Sequence, residues 1–154
     1  MNTRDKYKPA ELLPHSGAMM LLDRIIEVGD EHLRAAACVR AQCPLSRPGD
    51  TGLPAFAGLE FMAQAAAAWA GYRELAAGRS VRPGLLLGTR RFDSSQPWLS
   101  EGLALDIHIE RMLEDESGIG AFDCRIEAPG LRQQARIKAV MPRSMEEFMQ
   151  LGGY

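Results

Sequence analysis

The sequence predicts an α+β domain in which a curved antiparallel sheet wraps one long central helix. Three observations carry this expectation. Residues 53–71, LPAFAGLEFMAQAAAAWAG, are long enough for a helix and apolar nearly all round, so they demand cover on most sides. Stretches of period-two alternation follow, clearest at 103–112 and 120–127. A chain of 154 residues has room for one core and not for two comfortable ones, which makes 1–154 a single domain.

The elements follow in order. Residues 20–28 predict a strand, Gly29-Asp30 a turn, and 32–43 an antiparallel return in which small apolar and polar residues alternate. Two prolines and a Gly-Asp pair make 44–51, PLSRPGDT, a loop. The helix is expected to begin at Pro54, a residue favoured at the first helical position, and to run to about Ala77, where Gly78 can end it. Strands are expected at 85–92, 103–112, 120–127 and 132–140, and a short helix at 145–151.

Composition excludes several classes. A quarter of the residues are charged, the net charge is -2 and no basic run points to nucleic acid. No segment reaches the ~18 uninterrupted apolar residues of a membrane span. The start, MNTRDKYKPAELL, lacks the apolar core of a secretory signal, so a cytoplasmic location is expected. Cys38, Cys43 and Cys124 are odd in number and have no CxxC spacing, which predicts reduced thiols and no metal site. His32 follows Asp30-Glu31 in a turn, and His108 sits in an alternating run where it could face core or solvent.

Glu60 stands out because an ionisable group in the first turns of a helix meant for burial needs a reason. The helix dipole alone is one, worth about 0.3–1 kcal/mol. Gln64, four residues on, shares its face and can hold it by a hydrogen bond. Leu53 offers no capping oxygen, so the amides from Ala55 to Gly58 are candidate donors to an oxyanion at the positive end of the helix.

Two strands, one long apolar helix and four strands make the hotdog arrangement. Three blocks, LLPHSGAMMLLDRI at 12–25, PAFAGLEFMAQ at 54–64 and the sheet segment 88–124, together resemble the hotdog dehydratases that remove water from 3-hydroxyacyl thioesters on acyl carrier protein. Among these the chain is most similar to the diverged dehydratase-like subunits of aryl-polyene pigment pathways. The resemblance implies a cytoplasmic dimer, homomeric or with a second hotdog subunit. It also implies no cofactor beyond the phosphopantetheine arm that brings the substrate. In that family a loop His takes the proton alpha to the carbonyl, and a helix carboxylate from the other subunit protonates the departing hydroxyl. Glu60 falls on the carboxylate position.

The base departs from the family pattern. Its position is Ser46, in a loop, 43–52, that contains no His, and a neutral serine cannot abstract such a proton unaided. The family's Pro-Gly has become Pro54-Ala55. Three routes could supply the base. His15 lies in a family-like block, although a turn residue there is the ordinary reading. A partner hotdog subunit could bring its own His. Asp50, near the helix start, could act on substrate or merely stabilise the loop. Glu60 as the acid needs its proton, which burial would favour and the helix dipole would oppose.

Arg79, Arg82, Arg90 and Arg91 are candidates for docking an acidic carrier protein and its phosphopantetheine phosphate, the alternative being a solvated rim. The alanine run is core or the border of an acyl tunnel limited by Trp69 or Phe56. The function expected is a dehydratase or dehydratase subunit. The alternatives are a non-catalytic hotdog subunit that completes a partner's site and, further off, a thioesterase.

Overall fold

Period-two alternation sets two faces, and burial decides which of them meets the helix. The computed structural model describes residues 6–15, 17–140 and 145–150. Helix α1 (Pro9–Leu12) and a single 3-10 turn (Gly17–Met19) precede β1 (Arg24–Val28), β2 (His32–Cys38) and β3 (Gly52–Pro54). A second 3-10 turn (Ala55–Ala57) leads into α2 (Gly58–Ala76). Then come β4 (Leu85–Ser94), β5 (Trp98–Ser100), β6 (Ala104–Glu114), β7 (Ile119–Ala128), β8 (Leu131–Val140) and α3 (Met145–Gln150).

Six strands form one antiparallel sheet in the order β1-β2-β6-β7-β8-β4, and β3 pairs with β5 apart from it. Alternate residues of the large sheet are buried: Leu33, Ala35 and Ala37 on β2, Leu105, Ile107 and Ile109 on β6, Phe122, Cys124 and Ile126 on β7, Ala135 and Ile137 on β8. They belong to one core with Phe61, Met62, Ala65, Ala68 and Trp69 of α2, the arrangement of a sheet wrapped on a central helix. Each large side chain fully buried there, such as Phe61 or Ile107, contributes roughly 1.5–3 kcal/mol. The small side chains of Ala65 and Ala68 let sheet and helix approach. On another side α1 crosses α2 at Gly71, where a Cβ would lie 2.0 Å from the Leu12 carbonyl oxygen.

Several expected boundaries move, each for a local reason. The helix does not begin at Pro54, which is extended (φ -64, ψ 152) and pairs with Trp98 across β3 and β5. Strand β5 itself was not expected. The helix ends one residue before Ala77, with Gly78 at φ +77 and the Arg79 N–H returning to the Glu74 carbonyl. The return strand stops at Cys38 rather than Cys43, because the Asp23 carboxylate takes the Cys38 N–H and the Arg40 guanidinium. The first strand starts at Arg24 rather than 20, since the Leu21 N–H is taken by the Gln64 side chain. Helix α3 runs to Gln150, and the expected end at 151 lies outside the described residues.

The three cysteines are free thiols, and burial pushes that of Cys124 far up. Among the described residues, no helix is long and apolar enough to cross a membrane.

Candidate functional site

Glu60 occupies the first turn of α2, half-buried, with Gln64 one turn on and 1% exposed. The Gln64 amide has one possible orientation. Its Oε1 accepts the Leu21 N–H at 2.9 Å, so its Nε2 must be the atom that donates to the Met19 carbonyl at 2.7 Å and to Glu60 Oε1 at 3.1 Å. The hydrogen bond expected from the four-residue spacing is present. It also ties the carboxylate to the segment that follows His15.

A cleft of about 450 Å³ runs along α2. His15, Glu60 and Gln64 line it near the start of the helix; Ala63, Ala66, Ala67 and Ala70 form its floor; Arg73 and Glu74 lie at the far end. At 1.5 Å per residue, Glu60 and Arg73 are roughly 20 Å apart. His15 Nδ1 is buried and, among the described residues, has no hydrogen-bond partner. The other histidines lie elsewhere, His32 on Glu27 at 2.6 Å and His108 on Asp106 at 3.2 Å.

Ser46, at the family's base position, and Asp50, one candidate for the base, are both placed apart from this cleft. Ser46 Oγ donates to the Cys43 carbonyl at 2.8 Å and accepts the Cys43 N–H at 3.2 Å, so the hydroxyl at the family's base position closes its own turn. Asp50 accepts the Arg47 N–H at 3.2 Å, also a local turn contact. Neither residue lines the cleft.

Two of the expected amide donors are already taken. The Ala55 N–H is held by the Pro97 carbonyl at 3.0 Å, and the Gly58 N–H by the Ala55 and Phe56 carbonyls. Both are occupied because the chain enters α2 through a strand and a 3-10 turn. Among the described residues, no backbone carbonyl outside the helical turns takes the Phe56 N–H. The residue before α2 is Ala57 rather than the expected Leu53, and it too gives no side-chain cap. Phe56 is 66% exposed.

The far end of the cleft is ionic. Glu74, 6% exposed, accepts two hydrogen bonds from Arg79 at 2.8 and 3.0 Å and lies 3.5 Å from Arg82 Nε. The Arg79 hydrogen bond, helped by the charges of both guanidiniums, holds the Glu74 carboxyl below its ordinary range despite burial. Arg73 and Arg111 both lie over Trp69, 4.9 and 5.4 Å from its ring centre. The expected docking patch is therefore divided. Arg82 belongs to the cleft, Arg90 faces Arg136 on the outer side of β4, and Arg91 sits in a bulge of that strand at φ 55.

One polar residue beside the site was not singled out from the sequence. Gln133 of β8 is fully buried and donates through Nε2 to the Ala55 carbonyl at 2.8 Å and to Ser94 Oγ at 3.1 Å. Its signal was its phase: it alternates with Leu131, Ala135 and Ile137, on the face that meets the helix.

The family model of the ApeP-like dehydratases matches residues 7–150. A solved structure from Xenorhabdus doucetiae, the dehydratase heterocomplex ApeI:P, contains a chain 30% identical to this one, with a TM-score of 0.84 over 96% of this chain and 99% of that one. Two more distant structures share the fold. A sigma28-regulated virulence protein from Campylobacter jejuni is 15% identical, with a TM-score of 0.55 over 88% of each chain. The PaaI protein of the E. coli phenylacetic acid degradation operon is also 15% identical, with a TM-score of 0.55 over 75% of this chain and 80% of its own. Among curated proteins no sequence matches.

Proposed function

The chain belongs to the ApeP-like dehydratase family, and from that premise we propose that it is a hotdog subunit eliminating water from 3-hydroxyacyl thioesters carried on acyl carrier protein, with Glu60 as the acid. The observation that carries this reading is the shared cleft: Glu60, held by Gln64, and His15, whose buried Nδ1 has no hydrogen-bond partner among the described residues, open onto the same alanine-floored groove along α2. No cofactor is required, because the substrate arrives on the phosphopantetheine arm.

The elimination needs three groups. A base removes the alpha proton, and the electron pair left behind moves toward the carbonyl, where an amide at the start of α2 receives the growing negative charge. The pair then forms the new double bond as the C–O bond at the beta carbon breaks. Glu60 protonates the departing oxygen, which leaves as water and gives a trans-2-enoyl thioester. The base returns its proton through solvent, and Glu60 recovers one. In this reading Gln64 fixes Oε1, leaving Oε2 to carry the transferred proton, while the alanine floor takes the acyl chain.

His15 is the base that the cleft supports within this chain. A second reading, a subunit that completes a partner's site, is favoured by Ser46 and by the occupied Ala55 N–H, since both leave the family's usual machinery incomplete here. A second hotdog subunit fits both readings, as does the relative's own presence in a heterocomplex. Carrier protein would meet the arginines of β4 and the cleft mouth. The test is turnover of 3-hydroxyacyl carrier protein by the chain alone and with a hotdog partner, in wild type, Glu60→Gln and His15→Ala. Glu60→Gln should lose roughly 100-fold or more in kcat, the scale of general acid catalysis. Unchanged turnover would remove Glu60 from the chemistry. If His15→Ala keeps full activity only when the partner is present, the partner supplies the base.

A further inference from the structure

Gln133 is 0% exposed on the helix-facing side of β8. Its partners settle which atom is which. The Ala55 carbonyl can only accept, so nitrogen faces it at 2.8 Å. The same nitrogen reaches Ser94 Oγ at 3.1 Å, and that hydroxyl donates onward to the Gln96 carbonyl at 2.6 Å. Oε1 is left against the start of α2 and, among the described residues, has no hydrogen-bond partner. A Cβ on Gly58 would lie 1.8 Å from it, closer than two atoms can sit, so glycine is what lets this amide lie against the helix.

An unpaired buried acceptor is unfavourable, and it occurs where the backbone turns from β3 into α2. The contact that accompanies it has a directional consequence. The Ala55 carbonyl and the Phe56 N–H belong to one planar trans peptide, in which the two bonds point in opposite directions. The carbonyl accepts both from Gln133 Nε2 and from the Gly58 N–H of the turn, so the Phe56 N–H points the opposite way, away from these two donors. The preceding peptide is held independently by the Ala55 N–H on the Pro97 carbonyl.

We propose that Gln133 is a positioning residue for the elimination: by clamping the Ala55 carbonyl it sets the plane of the 55–56 peptide and aims the Phe56 N–H at the thioester carbonyl oxygen. This rests on the dehydratase reading above, and it moves the donor role from Ala55 to Phe56.

The test pairs an amide signal with kinetics. In protein labelled with 15N-phenylalanine, Gln133→Leu should shift the Phe56 amide resonance and leave that of Phe122 in place. In whichever form turns over, alone or with a partner, kcat should fall about tenfold or more while KM stays within about twofold, because the donor acts on charge that develops after binding. An unmoved Phe56 signal overturns the proposal, as does a kcat within about twofold of wild type when the signal has moved. Should Gln133→Leu fail to fold, Ser94→Ala removes one of the two acceptors that orient the amide. It should produce a smaller change of the same kind, and no change overturns the proposal. A wild-type protein that turns over no 3-hydroxyacyl thioester would strike at the dehydratase reading instead, and the Phe56 signal would still decide the positioning.

Discussion

Two carboxylates on α2 sit in opposite surroundings, and their roles diverge accordingly. Glu60 is half-buried, opens onto the cleft and is held by the neutral amide of Gln64. Glu74 is nearly buried and held by guanidinium groups, which makes it a structural anion. Because its folded-state carboxyl lies below the ordinary value of 4.5, ionised Glu74 stabilises the fold at neutral pH, and that stabilisation is lost as pH falls below the ordinary value and through the depressed one. Glu74→Gln should lower the unfolding free energy by about 1–2 kcal/mol at pH 7, the scale of a buried charge-assisted hydrogen bond. Urea unfolding from neutral pH down to about pH 3 checks this, since the gap from wild type should narrow across that range. A gap of constant size would mean that Arg79 stabilises the fold through packing alone.

At the scale of elements, the site depends on how α2 is entered and covered. The strand pair β3–β5 delivers the chain to a 3-10 turn, which consumes the Ala55 and Gly58 amides before the α-helix begins. Helix α1 closes over α2 at Gly71, so the segment that continues to His15 is anchored to the same helix as Glu60. In isolation Gly→Ala inside a helix would gain about 1 kcal/mol. Here the new Cβ would meet the Leu12 carbonyl oxygen at 2.0 Å and displace α1. Gly71→Ala is therefore expected to destabilise the protein by about 1–3 kcal/mol, the range for overpacking, in denaturant unfolding. A stabilised variant would show that α1 does not rest on α2.

For the whole molecule, assembly falls on β4. The strand order leaves β1 and β4 as edges, and β4 presents ten residues, most of them exposed, including Leu86 and Leu87 at 40% and 43%. A long edge with exposed leucines is a template for another strand. Replacing both with lysine should weaken association with a hotdog partner about tenfold or more while changing the stability of the isolated chain by no more than about 0.5 kcal/mol. Analytical ultracentrifugation of the mixture and thermal unfolding of the chain alone measure the two effects. Undiminished association would place the interface elsewhere.

Local pattern was enough for the sheet, the long helix and the Glu60–Gln64 pair. Alternation at period two and neighbours four residues apart are properties of consecutive residues, so 103–112, 120–127 and the α2 face could be read directly. The three-residue pairing of β3 with β5 could not, because so short a strand exists only where its partner is brought to it across more than 40 residues. The same reason hid which amides are occupied, that Ser46 closes its own turn, and that His15 and Glu60 share a cleft, and it left the two readings of Asp50 open. Gln133 shows the division most plainly. Its alternation with buried residues was sufficient to turn it inward, but only the packing of β8 against the start of α2 decided that its amide would hold the Ala55 carbonyl. A hydrogen bond across 78 residues is fixed by the fold and leaves no periodic trace in the chain.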